Sequence, residues 1–206
     1  MERSSLNNQK NLKIAVFASG NGTNFEVIAE AIQKKRIEAE LKLLICDQPK
    51  AYVLKRAESK AIPATILQPK QYPTKKAFET VLLEHLDRNE IDLIVLAGYM
   101  RIIGQTLLEK YADRIINIHP SLLPAFPGIS GIKDAFAAGV SETGVTVHLV
   151  DQGVDTGPIL SQQKVMVESD ETLESLEEKI HKIEHSMYPS VIQAYIEKLQ
   201  KEQVNS

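Results

Sequence analysis

Short apolar runs alternate along the chain with amphipathic segments, in the order expected of an α/β protein. Leu12–Ala18 and residues 91–97 are almost wholly apolar, as strands buried on both faces of a parallel sheet are. Residues 25–32 repeat apolar side chains three and four positions apart, which predicts a helix directly after the first strand. The alternation predicts an α/β fold: a single domain with a mostly parallel, twisted sheet and helices on both of its faces.

The same rules place the other elements. Strands are predicted at residues 40–46, 63–66, 114–116, 144–150 and 158–167, with antiparallel pairing expected near the C-terminal part of the chain. Helices are predicted at residues 52–60, 74–89, 132–138 and 170–199. Asp170 is expected to cap the last helix, and Pro189 to kink or break it.

Composition and charge narrow the class of protein. With 206 residues and 43% hydrophobic content, the chain can bury one core, so residues 12–200 are expected to form one domain. The polar residues 1–11 are expected to be a flexible tail. The net charge of -3 with interspersed signs gives no basic face for nucleic acid, and no apolar run suits a membrane span. Cys46 is the only cysteine, which excludes intramolecular disulfides and fits a cytoplasmic location.

A glycine-rich turn at residues 19–24 joins the first strand to the first helix. Backbone N–H groups in such a turn favour an anion, most often a phosphate. A tight turn without a ligand is the plainer alternative. The turn also resembles a dinucleotide fingerprint, which Asp47 after the next strand would support, but Phe25 stands where close helix packing needs a third glycine.

Asn117 and His119 follow the apolar run 114–116 and are themselves followed by prolines, so they are predicted where a strand meets a loop. Open α/β sheets bind their ligands at such strand ends. Residues two apart on a strand point the same way, so the amide and the imidazole should face one cavity and suit an anionic intermediate. Taken singly, each is as well explained as a turn former or a hydrogen-bonded polar group.

Further loops are rich in turn-forming residues. Residues 98–103 could line an apolar slot for a flat ring, and residues 151–158 form a doubly acidic loop. His148 should share a strand face with Thr146. Its position permits either support for the loop that carries the polar groups or packing in the core, and support is the favoured interpretation. His181 and His185 are expected in solvent or at most beside the site. No residues have metal-ligand spacing and no nucleophile–base pair stands out, so neither a metal nor a covalent intermediate is expected.

Five motifs occur in one order. They are Ser-Gly-Asn-Gly-Thr-Asn at 19–24, Leu-Ala-Gly-Tyr-Met-Arg at 96–101, Asn-Ile-His-Pro-Ser-Leu-Leu-Pro at 117–124, Gly-Val-Thr-Val-His at 144–148 and Asp-Thr-Gly-Pro at 155–158. With them the chain, over about residues 12–199, resembles the phosphoribosylglycinamide formyltransferases, a branch of the folate-dependent formyltransferase family with a Rossmann-like fold. The motif at 117–124 with its distal Asp is specific to the superfamily, and the loop at 19–24 favours the ribonucleotide branch.

The resemblance implies that 10-formyltetrahydrofolate, as co-substrate, gives its formyl group to the primary amine of glycinamide ribonucleotide in purine biosynthesis. It implies the catalytic residues Asn117, His119 and Asp155. It implies that the substrate phosphate and ribonucleotide are bound by Gly22, Thr23, Asn24 and Glu184. It implies a folate site formed by Lys75, Met100, Arg101, Ile102, Ile103, Asn117 and Asp151.

The resemblance also sets expectations about partners and rivals. The partners are expected to be the two small molecules, with no nucleic acid and no membrane. The protein is expected to be a monomer or weak homodimer.

The chain departs from the family pattern at one loop position. Some family members carry a histidine where this chain has Ser130, so a catalytic role for that loop position is not expected.

Several rivals remain. A formyltetrahydrofolate hydrolase, and formyltransferases acting on methionyl-tRNA or an amino sugar, share the catalytic core; the extra domains usual in the first two argue against them at this length. A non-catalytic nucleotide-binding module would leave Asn117, His119 and Asp155 unexplained. A nicotinamide-dependent oxidoreductase predicts NADH binding and tolerance of His119→Ala.

Overall fold

The computed structural model describes residues 11–204. The tail predicted for residues 1–11 therefore lies outside the described residues, apart from Asn11. The strands are β1 (Leu12–Ala18), β2 (Ala39–Cys46), β3 (Ala64–Ile66), β4 (Leu93–Leu96), β5 (Ile115–His119), β6 (Glu142–Leu149) and β7 (Ile159–Met166). The helices are α1 (Thr23–Gln33), α2 (Val53–Ser59), α3 (Lys75–Arg88), α4 (Gln105–Lys110), α5 (Gly131–Ala137) and α6 (Leu173–Val204).

The strands form one seven-stranded sheet in the order β3-β2-β1-β4-β5-β6-β7. Strands β1 to β5 pair in parallel, and β6 pairs antiparallel with both β5 and β7. The prediction of a mostly parallel sheet with an antiparallel strand near the C-terminal part is confirmed. The strand order reverses between β1 and β4, so the loops that leave these two strands run in opposite directions and open a crevice at the carboxyl edge.

Two hydrophobic layers cover the two faces of the sheet, as predicted. One layer packs α1, α2 and α6 against the sheet, and the other packs α3 and α4. Val16 of β1 faces the first layer and the next residue, Phe17, faces the second, and both are fully buried. This explains why β1 is apolar without alternation. Among the helices of residues 11–204, none combines the length and apolarity needed to cross a membrane.

Three local details differ from the sequence-based expectations. Helix α4 buries only Leu107, which is too little to give a periodic signal. Helix α6 is capped by Thr172, whose Oγ1 accepts a hydrogen bond from Ser175 N at 3.2 Å, so the expected cap Asp170 was wrong. The same helix continues through Pro189 without a break, because the buried residues on either side of the proline pack on one core.

Tyr188 of α6 ties the two central strands to the helix, and its replacement tests that role. Its fully buried hydroxyl lies 2.7 Å from Leu96 O and 3.2 Å from Ile116 O. Tyr188→Phe should lower the free energy of unfolding by about 1–3 kcal/mol, since buried carbonyl oxygens lose their donor. Chemical denaturation measures this, and an unchanged midpoint with an unchanged slope would contradict it.

Candidate active site

A cavity of ≈ 520 Å³ lies at the carboxyl edge of the sheet, where the strand order reverses. Its walls come from the turn after β1, the loop after β4, the end of β5, the loop after β6 and one side of α6. All the site residues predicted from the sequence except Lys75 line it: Gly22, Thr23, Asn24, Met100, Arg101, Ile102, Ile103, Asn117, His119, His148, Asp151, Asp155 and Glu184.

Asn117 and His148 lie side by side because they are partners in the β5–β6 register. His148 Nδ1 is 2.8 Å from Leu149 O, and a carbonyl oxygen can only accept, so His148 carries a proton on Nδ1. His148 Nε2, which is 3.2 Å from Asn117 Nδ2, is then free to accept from that amide. The pairing thereby holds the donor end of the Asn117 side chain in the site.

The loop between β6 and β7 brings Asp155 to this pair. Asp155 has φ 55, a left-handed conformation that aspartate adopts more readily than most residues. Gly157 allows the loop to fold back on the sheet, because a Cβ at this position would lie 1.9 Å from the Leu149 carbonyl oxygen. The loop is therefore shaped to deliver one carboxylate to the ends of β5 and β6.

The Asp155 carboxylate contacts four polar groups at the ends of β5 and β6 and in the loop after β5: Asn117, His119, Gly128 N and His148. Oδ2 accepts from Gly128 N at 2.8 Å and lies 3.4 Å from His119 Nδ1. Oδ1 lies 3.5 Å from both Asn117 Nδ2 and His148 Nε2. Burial raises the pKa of Asp155, but its contacts with His148, Gly128 N and His119 outweigh burial and hold that pKa below its ordinary value. Asp155 is therefore ionised at neutral pH.

Both ring nitrogens of His119 face acceptor oxygens. Its Nε2 lies 2.8 Å from Phe126 O, an acceptor, so Nε2 bears a hydrogen. Its Nδ1 lies 3.4 Å from Asp155 Oδ2. Phe126 itself has φ 52, a conformation costly for a bulky residue and found mainly where a site requires it.

The glycine-rich turn forms one end of the cavity. Gly22 has φ 79, a left-handed conformation that favours glycine, and a Cβ there would lie 2.4 Å from Val53 Cγ2. Backbone conformation and close packing therefore both require glycine at this position. Asn24 Nδ2 donates to Glu184 Oε2 at 3.1 Å across 160 residues of sequence. Burial raises the pKa of Glu184, although the Asn24 hydrogen bond and the His181 charge oppose it. The ribonucleotide-binding residues predicted from the sequence thus come together.

The loop after β4 forms the other end. Met100 and Ile102 are more than half exposed beside the cavity. Arg101 Nε donates to Asp47 Oδ2 at 2.7 Å, so the acidic residue that a dinucleotide site would need is tied to this loop instead. Asp151 Oδ1 accepts from Thr156 Oγ1 at 2.7 Å and thereby closes the 151–156 loop.

Lys75 does not line the cavity. It is exposed at the start of α3, and its Cε would lie 2.6 Å from a Cβ built on Gly104, just beyond Ile103. It therefore stands behind the loop after β4 rather than in the cavity wall.

Several lining residues were not among the site residues predicted from the sequence, and two of them are His181 and His185, which were expected in solvent or at most beside the site. Their rings stack with centroids 6.5 Å apart, and both line the cavity. Burial lowers the pKa of His185, with the charge of His181 acting in the same direction. The available signal was the position of His181, three residues before Glu184 and four before His185, since residues three and four apart share a helix face. The other missed lining residues include Ile118 and Ile132.

Within residues 11–204, no three His, Cys, Asp or Glu side chains are grouped so that they could hold a metal ion.

Comparison with known proteins gives consistent matches. The family described as formyl transferase matches residues 12–192. A phosphoribosylglycinamide formyltransferase of Bacillus subtilis (strain 168) is 54% identical over 180 residues, which cover 87% of this chain and 92% of that protein. The Drosophila melanogaster trifunctional purine biosynthetic protein adenosine-3 is 37% identical over 186 residues, 89% of this chain but 14% of that protein.

Solved structures agree with these matches. The crystal structure of glycinamide ribonucleotide transformylase 1 from Geobacillus kaustophilus superposes with a TM-score of 0.89 at 51% identity, covering 91% of this chain and 100% of that one. The phosphoribosylglycinamide formyltransferase from Bacillus halodurans superposes with a TM-score of 0.88 at 48% identity, covering 91% and 96%.

Proposed function

The chain belongs to the formyl transferase family, and on that basis we propose that it transfers the formyl group of 10-formyltetrahydrofolate to the primary amine of glycinamide ribonucleotide. The products are formylglycinamide ribonucleotide and tetrahydrofolate, in purine biosynthesis. Both substrates are small molecules, and neither nucleic acid nor a membrane takes part. Residues 12–200 act as one catalytic domain, and the protein works as a monomer or weak homodimer.

One observation carries this proposal: Asn117, His119 and Asp155 converge between the glycine-rich turn and the loop after β4, in one cavity. The turn offers N–H groups to a phosphate, and the loop offers apolar side chains to a flat ring. The reacting amine and formyl carbon would meet between these two ends, beside the three polar groups.

Attack of the amine on the formyl carbon forms a C–N bond and leaves a negative charge on the formyl oxygen. The Asn117 amide and the His119 imidazolium donate to that oxyanion. The contacts of Asp155 with Asn117 Nδ2 and His119 Nδ1 are 3.5 and 3.4 Å, longer than the usual limit of about 3.2 Å. A substrate atom can therefore replace them without breaking a short hydrogen bond.

The attacking amine must lose a proton and the departing folate nitrogen must gain one. Ionised Asp155 accepts the amine proton through a water molecule, and His119 or that water protonates the folate nitrogen as the C–N bond to the folate breaks. His148 holds Asn117 in place and touches neither substrate.

The remaining residues bind the substrates. Gly22, Thr23 and Asn24 bind the phosphate and Glu184 the ribose hydroxyls. The folate is bound by Met100, Arg101, Ile102, Ile103, Asn117 and Asp151. Lys75 lies behind the loop after β4, and its long side chain approaches the folate around the edge of that loop.

A folate assay tests the reaction and its rivals. The absorbance of deformylated folate should rise only when glycinamide ribonucleotide is present, and His119→Ala should lower kcat by about 10²–10⁴ because it removes both a donor and a proton carrier. NADH binding should be absent in fluorescence titration. Folate loss without any amine would identify a hydrolase, and no folate turnover at all would overturn the proposal.

A further inference from the structure

Helix α2 packs against the glycine-rich turn and forms hydrogen bonds with it on the side away from the cavity. Val53 N donates to Gly20 O at 3.1 Å, and Gly22 packs on the same valine. One turn further along, Arg56 Nε donates to the backbone oxygen of Asn21 at 2.9 Å, and Arg56 Nη2 donates to Asn21 Oδ1 at 2.8 Å. One guanidinium thus binds both carbonyl oxygens of one residue of the turn.

Arg56 is itself held in a single orientation. It pairs with Glu26 of α1, and its Cζ lies 5.0 Å from the centre of the Tyr52 ring. A planar guanidinium with a partner on its face and acceptors along its edge is pre-organised for such a two-point contact. Arg56 does not line the cavity, so its contacts are with the turn and not with a bound molecule.

The orientation matters because of the peptide bond between Asn21 and Gly22, which is trans. In a trans peptide the carbonyl oxygen and the following N–H point in opposite directions. Because Arg56 holds the Asn21 oxygen on the α2 side, the Gly22 N–H is directed to the other side, where Gly22 lines the cavity. This N–H precedes the free N–H groups of α1, the arrangement that binds phosphate.

An independent observation marks this end of the cavity as a ligand site. Asn24 lines the cavity and is only 9% exposed, and its Oδ1 has no hydrogen-bond partner. A buried acceptor without a partner requires an explanation, and a hydroxyl-bearing ligand supplies one.

We propose that Arg56 is a positioning residue for the ribonucleotide phosphate: it fixes the Asn21–Gly22 peptide so that the Gly22 N–H meets the phosphate. This inference rests on the proposed function. It adds that phosphate affinity depends on a residue of α2 that never touches the substrate.

Calorimetric binding of glycinamide ribonucleotide and of its dephosphorylated riboside tests this. Arg56→Met should weaken the binding of the ribonucleotide about tenfold, because the Gly22 N–H is no longer held toward the phosphate. The affinity for the riboside should stay within about twofold of that of the unmutated protein. Arg56→Lys should weaken ribonucleotide binding similarly, since an ammonium keeps the charge but cannot hold both oxygens. The kcat at saturating substrates should stay within about twofold of the unmutated value.

Arg36→Met is the matched control, because it removes one positive charge, as Arg56→Met does, but from an exposed position. Wild-type affinity in Arg56→Lys would mean that long-range charge is sufficient and would overturn the proposal. Equal weakening of both ligands, with a lower melting temperature, would overturn it in favour of a purely structural role. If the unmutated enzyme does not bind the ribonucleotide, the proposed function fails as well; normal ribonucleotide affinity in both Arg56 variants overturns this inference alone.

Discussion

Asn117→Ala should lower kcat by about 10²–10³, the usual cost of removing one oxyanion donor. The substitution deletes the amide that lies 3.2 Å from His148 Nε2 and faces the site. Because the interaction with the oxyanion is made chiefly in the transition state, KM for glycinamide ribonucleotide should change little, and the fall in kcat should exceed any rise in KM for the folate, which Asn117 also contacts. Single-turnover formyl transfer measures the chemical step directly.

Asn117→Asp separates the donor from the shape of the side chain. Aspartate keeps the size of asparagine but brings a second carboxylate to within about the 3.5 Å that now joins Asn117 Nδ2 to Asp155 Oδ1. Two like charges so close repel each other, so this variant should be at least as impaired as Asn117→Ala. A kcat within threefold of the unmutated value in either variant would contradict the oxyanion role.

Asp155→Asn should lower kcat by about 10²–10⁴, because an amide cannot accept the amine proton and no longer brings a carboxylate to His119 Nδ1. Asparagine also tolerates the left-handed backbone at this position, where φ is 55, so the loop should keep its shape. The measurement is kcat/KM as a function of pH. Asp170→Asn, at an exposed position near the start of α6, is the matched control.

The pKa of Asp155 also predicts a stability effect. Because the folded-state pKa lies below the ordinary value, the ionised carboxylate stabilises the fold above about pH 3.9, and this is lost as the pH falls through the folded pKa. The unfolding free energy of Asp155→Asn should therefore depend less on pH in the acid range.

For the activity, an acid limb of kcat/KM that is identical in Asp155→Asn and in the unmutated enzyme would contradict the pairing of Asp155 with His119.

The success of sequence reasoning at the site followed from strand geometry. Asn117 and His119 were expected on one face because side chains alternate along a strand, and both line the cavity. Their neighbour His148 was assigned to support, and the β5–β6 register places it opposite Asn117. The hydrogen-bond partner that sets its protonation, the Leu149 carbonyl oxygen, was not predictable, since it depends on the rotamer of a buried ring.

The failures have a common cause as well. His181 and His185 were expected in solvent or at most beside the site, because nothing local shows which face of α6 meets the turn after β1. Asp47 sat where a dinucleotide site needs an acid, but its partner, Arg101, comes from the loop after β4. Arg56 carried no signal at all, since its contacts with Asn21 span 35 residues of sequence.

Local patterns in the sequence were sufficient to predict the strands, every helix except α4, the glycine turn and the chemical groups available for formyl transfer, because hydrophobic periodicity and turn chemistry act over a few residues. The tertiary structure alone decided which of those groups meet. It paired Asn24 with Glu184, set Asp155 against His119 and directed the Asn21–Gly22 peptide through Arg56. Such contacts depend on strand order, register and helix rotation, and these come from the packing of the whole core and not from any local pattern.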